Sequence, residues 1–150
     1  MLSHERVVLA AFSALERRDG RALLDLYHDE VEVVEAPSLP YGRTQVSGRA
    51  AFARQFRDAV DETWLGTWGP LQPTAAERRL DPRVVASRGD EVVVQYTTRA
   101  VAPDGERFES QVLGLYEVRD GKLARLRMHH FDTAAVLAFL ERVGYPLPAV

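Results

Sequence analysis

The side chains best suited to acid–base chemistry stand close to the end of the chain. His129 and His130 are adjacent, and histidine is the residue whose ordinary pKa lies nearest to neutral pH. A strand is predicted over residues 123–131, where alternate side chains face opposite sides. His130 therefore shares a face with the apolar Leu126 and Met128, whereas His129 points away. This pattern indicates either a hydrogen-bonded core histidine or a general acid–base group.

Asp132 directly follows this strand. Aspartate is a preferred N-cap residue, and a helix is predicted over residues 134–142, so the residues themselves favour a capping role. A metal site built from Asp132 and the two histidines is disfavoured, because adjacent strand residues face apart. We therefore expect no metal ion.

The elements that must position these residues are read from turn signals and hydrophobic periodicity. Asp120-Gly121 is typical of a two-residue hairpin turn, and it separates the strand from another over residues 108–118. Further strands are predicted over residues 31–36, 80–87 and 92–101, and helices after Ser3 and over residues 21–27 and 49–60. Residues 61–79 give no clear prediction. The order predicts an α+β fold with helices packed on one face of a sheet.

Bulk properties narrow the class of protein. The chain has 150 residues, 46% hydrophobic and 27% charged, and we expect one domain over residues 1–150. The net charge is -3 without a basic stripe, so nucleic-acid binding is not expected. Neither a signal peptide nor a membrane span is predicted, so we expect a cytoplasmic protein. Apolar residues on both faces of strands 92–101 and 108–118 predict a homodimer formed through the sheet.

Two motifs carry a resemblance to a known superfamily. They are Ser38-Leu39-Pro40-Tyr41-Gly42 followed by Gly48-Arg49, and Asp120-Gly121-Lys122 followed by Phe131-Asp132-Thr133. Over essentially the whole chain, the sequence resembles the nuclear transport factor two-like superfamily, which includes SnoaL-like polyketide cyclases, ketosteroid isomerases and limonene epoxide hydrolases. The resemblance implies a cone: a curved, mostly antiparallel sheet, three N-terminal helices and a short C-terminal helix enclosing an apolar pocket, commonly in a homodimer.

The catalytic positions of two of these enzyme classes are changed in this chain. Ketosteroid isomerases place a carboxylate before the proline that ends the first strand. Here that position is Ala36, and strand alternation points the neighbouring Glu35 to the opposite face. Phe12 and Gly114 stand at the positions of their oxyanion pair. The catalytic positions of the epoxide hydrolases become Gln95, Thr97 and Met128. The resemblance therefore implies neither activity.

The strand register implied by the resemblance predicts the site. His130 would transfer the proton, Tyr116 or Arg99 would stabilise an oxyanion, and Asp132 corresponds to the region of the acid–base aspartate of SnoaL-like cyclases. Tyr116 in the core and Arg99 on the dimer face are the alternatives. The predicted ligand-binding residues are Phe12, Tyr41, Trp64, Trp68, Gln95, Thr97, Val112, Leu126 and Met128. Three aromatic residues would form either the pocket mouth or a flap over the core: Tyr41, Trp64 and Trp68.

What the resemblance implies for function is acid–base chemistry on a small molecule. We expect a cyclase or isomerase of SnoaL-like type that acts without a cofactor on an apolar polyketide- or terpenoid-like substrate. A small-molecule-binding member of the same fold without catalysis is the alternative, because the inherited catalytic positions are changed. A dimerisation module is a further possibility.

Overall fold

The structure, a computed structural model, describes residues 3–42, 46–58 and 63–145. The first part of the chain holds helices α1 (His4–Glu16) and α2 (Gly20–Asp25), strands β1 (Tyr27–Val34) and β2 (Val46–Ser47), and helix α3 (Arg49–Asp58). Helix α4 (Trp64–Trp68), a 3₁₀ turn (Gly69–Leu71) and helix α5 (Ala75–Arg78) follow. The last part holds β3 (Arg83–Arg88), β4 (Glu91–Val101), β5 (Arg107–Arg119), β6 (Lys122–His130) and helix α6 (Thr133–Arg142).

The strands form one curved, unclosed sheet in the order β2-β1-β6-β5-β4-β3. β1 runs parallel to β6, and the other neighbouring pairs are antiparallel. The predicted hairpin turn is present, with Asp120 at φ 54° and Gly121 at φ 72°. The mixed α+β class is confirmed. The stretch that gave no clear prediction forms α4, the 3₁₀ turn and α5.

Two apolar clusters hold the helices against the sheet. The first lies under α1, whose buried Val8 and Phe12 pack with Val94 and Leu126 of the sheet. The second gathers Leu39, Tyr41, Trp68, Phe139 and Leu140 under α6. Burial of such side chains contributes roughly 1.5–3 kcal/mol each, so these clusters fix the helices on one face of the sheet.

A tight loop joins β1 to the second cluster. The Leu39 amide donates to the Ala36 carbonyl, and the Gly42 amide donates to the Leu39 carbonyl, each at 3.0 Å. A Cβ atom on Gly42 would lie 1.9 Å from the Ala36 oxygen. Only glycine fits at this position, which explains the glycine that ends the Ser38–Gly42 motif. None of the helices in the described ranges is long and apolar enough to cross a membrane.

Candidate functional site

An apolar pocket lies between α1 and the sheet. It has about 100 Å³ of water-accessible space, and the space between its lining atoms, the mouth included, is about 660 Å³. Sites for drug-sized molecules commonly measure about 300–1,000 Å³, so the enclosed space of about 100 Å³ holds only a small group, and a larger ligand must extend through the mouth. Six of the lining residues are aromatic, and the lining consists of Phe12, Leu15, Leu23, Tyr27, Val33, Glu35, Phe52, Trp64, Leu65, Tyr96, Tyr116, Leu126 and Met128.

Glu35 brings a carboxyl group into this apolar wall. It is the one acidic residue among the described lining residues, and none of them is a lysine, arginine or histidine. The pairing of Val33 with Leu126 places Val33 on the pocket face, and Glu35 follows two residues later on the same face. Its side chain is only 11% exposed. A carboxyl group in such surroundings is a candidate for proton transfer.

His130 lies next to this carboxyl group. Its Nε2 atom is 3.6 Å from Glu35 Oε2, which is an ion-pair distance but too long for a good hydrogen bond. The His130 side chain is 5% exposed. Both of its ring nitrogens and Glu35 Oε2 are buried without a hydrogen-bond partner among the described residues. Most buried polar atoms in proteins have hydrogen-bond partners, so this pair is an unusual feature of the interior.

Burial and the neighbouring His130 have opposite effects on the pKa of Glu35. Burial raises the pKa of Glu35, because the charged form loses its hydration in the apolar wall. The neighbouring His130 works against this rise and lowers the pKa of Glu35 in part. A carboxyl group with a raised pKa is a stronger base when ionised and a proton donor closer to neutral pH when protonated.

Two tyrosines in the wall provide hydroxyl groups. Burial raises the pKa of Tyr96 and of Tyr116 well above its ordinary value, and the nearby Glu35 raises both further. Both hydroxyls therefore stay protonated at neutral pH and can donate hydrogen bonds to a ligand oxygen. Phe12 contacts both rings edge-on, at centroid distances of 5.0 Å and 5.6 Å. These contacts orient the rings in the pocket wall.

Several of the residues predicted to bind a ligand line this pocket. They are Phe12 on α1, Trp64 on α4, and Leu126 and Met128 on β6. Tyr116 on β5, which was predicted to stabilise an oxyanion, lines the pocket as well. Val112 is buried and pairs with His130 across the sheet, but it is not part of the lining. His130 also lies outside the lining and contacts the pocket through Glu35.

The prediction for β4 was shifted by one residue. The turn that follows Val101 pairs Val101 with Arg107, and this register sets Tyr96 opposite Val112. Tyr96 therefore faces the pocket, and its neighbours in sequence face the outside of the sheet. Outside, Gln95 and Thr97 bond to Gln111, and Arg99 pairs with Asp81 at 2.9 Å. Gln95, Thr97 and Arg99 thus do not line the pocket.

Two of the three aromatic residues predicted at the mouth belong to the second core cluster. Tyr41 is 4% exposed and Trp68 is 1% exposed. The Trp68 Nε1 donates to the Tyr41 hydroxyl at 3.1 Å, and the indole stacks with Phe108 and Phe139. Their polar atoms find partners within the protein, so they pack as core residues and only Trp64 contacts the pocket.

Asp132 caps α6. Its Oδ1 atom accepts a hydrogen bond from the Ala135 amide at 3.0 Å, and it does not line the pocket. The capping interpretation therefore describes its position. Among the residues that the structure describes, no three acidic or histidine side chains come together in a way that could hold a metal ion.

The prediction that Glu35 faces away from the pocket was wrong. It assumed that Ala36 faces inward, whereas Ala36 packs against the second cluster. The parallel pairing of β1 with β6, which includes a register shift between Tyr27 and Glu32, reverses this assignment. The sequence held a usable signal for the orientation of Glu35. Val31, Val33 and Glu35 are spaced two residues apart, in the same way as Leu126, Met128 and His130. Tyr96 was missed for the same kind of reason.

A groove on the surface borders the other side of the pair. It is lined by residues of both strand ends, including Glu35, His130, Pro37, Arg127 and Thr133. The carboxyl–imidazole pair thus lies between the apolar pocket and a surface groove.

Comparisons with known structures agree with this architecture. The chain is similar to TerC co-crystallised with polyporic acid, at 25% identity and a TM-score of 0.71, over 92% of this chain and 98% of that chain. It is also similar to an NTF2-like protein of unknown function from Burkholderia pseudomallei K96243, at 20% identity and a TM-score of 0.73, over 93% and 98% of the two chains. A proposed polyketide cyclase from Xanthomonas campestris pv. campestris matches at 18% identity and a TM-score of 0.63, over 94% and 96%.

Comparisons of sequence identify the family. No curated protein sequence gives a significant match. The family model of the SnoaL-like domain, however, matches residues 8–126, which is most of the chain and runs from within α1 to within β6. Its fold matches that of NTF2-like proteins. The chain therefore belongs to the SnoaL-like domain family.

Proposed function

We propose that this protein is a cyclase or isomerase that transfers protons on an apolar polyketide- or terpenoid-like small molecule. The observation that carries the proposal is the Glu35 carboxyl group in the wall of an aromatic pocket, with His130 at 3.6 Å behind it. The sequence analysis assigned the role of proton transfer to His130. Because Glu35 lines the pocket and His130 does not, we now assign the transfer to Glu35 and treat His130 as its partner.

The chemistry follows from the groups in the wall. The ionised Glu35 removes a proton from a carbon next to a carbonyl, and the electron pair of the C–H bond forms an enolate. The hydroxyl of Tyr116 or Tyr96 donates a hydrogen bond to the enolate oxygen. Glu35 then returns the proton at another position, which gives an isomer. Ring closure results instead when the enolate carbon attacks a second carbonyl of the same substrate, and the resulting alkoxide oxygen takes the proton back from Glu35.

The substrate class rests on the character of the lining. Aromatic rings and aliphatic side chains surround a single carboxyl group, and no cationic side chain is among the lining residues that the structure describes. This environment favours a neutral, apolar ligand with few polar groups. The similar TerC structure contains polyporic acid, which supports an aromatic ligand as the first class to test.

The proposal can be tested with a simple ketone before the substrate is known. 2-Tetralone is apolar and aromatic, and its acidic C–H bonds exchange measurably in D₂O. We expect the protein to accelerate this exchange, and Glu35→Gln to lower the acceleration by about 10²–10⁴-fold, the usual contribution of a general base. His129→Gln is the matched control, because His129 is exposed and points away from the pair.

The result also separates catalysis from simple binding. Equal exchange by wild type and a folded Glu35→Gln variant would contradict the assignment of the base. A panel of apolar aryl ketones that bind without accelerated exchange would favour the alternative function, a small-molecule-binding protein without catalysis. That alternative remains the second candidate because most of the lining is apolar.

We further propose a homodimer formed through the outer face of the sheet. Leu113 lies on this face and is 45% exposed, beside the Gln95–Gln111 contact. Leu115 and its partner Val93 lie on the same face, and an exposed leucine beside further apolar side chains fits a subunit interface. Light scattering should give twice the mass of the 16.8 kDa chain at micromolar concentration. A monomer mass would contradict this interface.

A further inference from the structure

Trp64 forms part of the pocket wall, and Arg18 contacts it from outside the pocket. The guanidinium carbon of Arg18 lies 5.4 Å from the centroid of the indole ring, which is cation–π distance. Arg18 is not among the residues that line the pocket, whereas Trp64 and Leu15 are. The indole is therefore contacted by a cation on one side and is open to a ligand on another.

The guanidinium of Arg18 is held in place by three further features. The backbone of Arg18 adopts the left-handed conformation, with φ at 57°, directly after α1. Its Nη1 donates to the Leu15 carbonyl at 2.9 Å, and its Nη2 donates to the Gln72 side chain. Gln72 is 1% exposed and donates in turn to the Arg99 carbonyl at 2.9 Å. Because two of its nitrogens are hydrogen-bonded, the guanidinium is pre-organised and restricts the indole ring that it covers.

We propose that Arg18 is a positioning residue that holds the Trp64 indole as a flat wall of the pocket, and that this wall selects planar aromatic ligands by stacking. The inference rests on the pocket of the proposed function, but it does not require Glu35 to act as a base. The left-handed backbone conformation is unfavourable for arginine, so the contacts of Arg18 must offset this cost.

The electrostatic state of Arg18 agrees with this role. Burial, and then the nearby Arg78, lower the pKa of Arg18 to about 10. The guanidinium therefore remains charged at neutral pH and keeps its attraction to the ring face. Partial burial strengthens this attraction relative to an exposed pair, because water competes less for the cation.

The test follows the ring of Trp64 directly. The chain has two tryptophans, so protein labelled with 5-fluorotryptophan gives two ¹⁹F resonances, which Trp64→Phe assigns. We expect Arg18→Met to shift and broaden the Trp64 resonance. The Trp68 resonance should stay in place as an internal reference, since Trp68 is 1% exposed in the other cluster. Arg17→Met is the matched control, because the Arg17 side chain is 57% exposed.

Ligand selection is measured with two neutral probes. Flavone is planar and aromatic, and camphor is compact and not planar. We expect Arg18→Met to weaken flavone binding by about 3- to 10-fold, as for the loss of one aromatic contact, and camphor binding by less than about twofold. Arg18→Lys keeps the cation and should retain part of the flavone affinity. It also keeps the test open if Arg18→Met does not fold.

The outcomes separate this inference from the proposed function. An unchanged Trp64 resonance together with unchanged flavone binding in a folded Arg18 variant would overturn the positioning role. A wild-type protein that binds camphor and not flavone would overturn the planar selectivity. Arg17→Met leaves the pocket lining intact and should bind flavone as wild type does. A wild-type protein that binds flavone with the expected dependence on Arg18, but does not accelerate ketone exchange, contradicts the proposed function alone.

Discussion

Replacing Gly114 by alanine should push Tyr116 into the pocket. A Cβ atom at Gly114 would lie 2.4 Å from Tyr116 Cε2 and 2.5 Å from its hydroxyl oxygen. Because non-bonded carbons rest at about 3.5–4.0 Å, the ring must move by about 1 Å. Tyr116 is 5% exposed and packs edge-on against Phe12, so this movement also disturbs α1.

The size of the effect follows from two opposing contributions. Overpacking a well-packed core costs about 1–3 kcal/mol, whereas removing a glycine from a strand gains roughly 0.5–1 kcal/mol. We expect a net loss of about 1–2 kcal/mol in the free energy of unfolding, together with weaker binding of flavone. Urea unfolding measures the first quantity as a lower midpoint at constant slope.

Two control variants make this reasoning testable. A Cβ atom at Gly69 meets only a Leu65 methyl carbon at 3.7 Å, so Gly69→Ala should be neutral or slightly stabilising. In a Tyr116→Leu background the contact is absent, and Gly114→Ala should cost at least about 0.5 kcal/mol less there. Equal costs in both backgrounds, or a Gly114→Ala protein as stable as Gly69→Ala, would refute the account of the Tyr116 position.

Three further predictions concern the residues around the pair and the last helix. Asp132→Ala should lower the free energy of unfolding by about 0.5–2 kcal/mol, because α6 loses its cap. Calorimetry measures this loss. A change in flavone affinity would contradict the placement of Asp132 outside the pocket. Burial raises the pKa of Glu35, so the folded protein binds more protons than the unfolded chain between the two pKa values, and wild-type stability falls as pH rises through that window. Glu35→Gln removes this loss, so the stability of the variant relative to wild type should increase from about pH 4 upward. Urea titrations at several pH values measure the difference. A difference that does not vary with pH would contradict the raised pKa of Glu35. His130→Gln should raise the pKa of Glu35 further, because His130 opposes the effect of burial, and an unchanged titration by NMR would show that the two groups are not coupled.

The parts of the fold that depend on local sequence were predictable. The Asp120-Gly121 turn and the Asp132 cap depend on neighbouring residues, and both are present in the structure. The register of β4 depends on how Val101 pairs with Arg107 across a longer turn. An error of one residue there exchanges the two faces of the strand, which is why Tyr96 was missed.

The candidate site was harder to predict because it depends on contacts that are distant in sequence. Glu35 faces the pocket because β1 pairs in parallel with β6, almost 100 residues later, and no local pattern sets that register. His130 was found from its apolar neighbours. Its partner could be identified only once both strands were side by side. The assignment of Tyr41 and Trp68 to the core likewise required the packing of α6.

A carbon-13 NMR titration of the Glu35 carboxyl group tests the central claim most directly. The resonance is assigned by its absence in Glu35→Gln. The structure predicts that it titrates above the ordinary glutamate pKa of roughly 4.3, because the side chain is buried in the apolar wall, and that flavone binding shifts its titration. A carboxyl group that titrates at or below the ordinary value, and that does not respond to a ligand in the pocket, would contradict the assignment of Glu35 as the acid–base group.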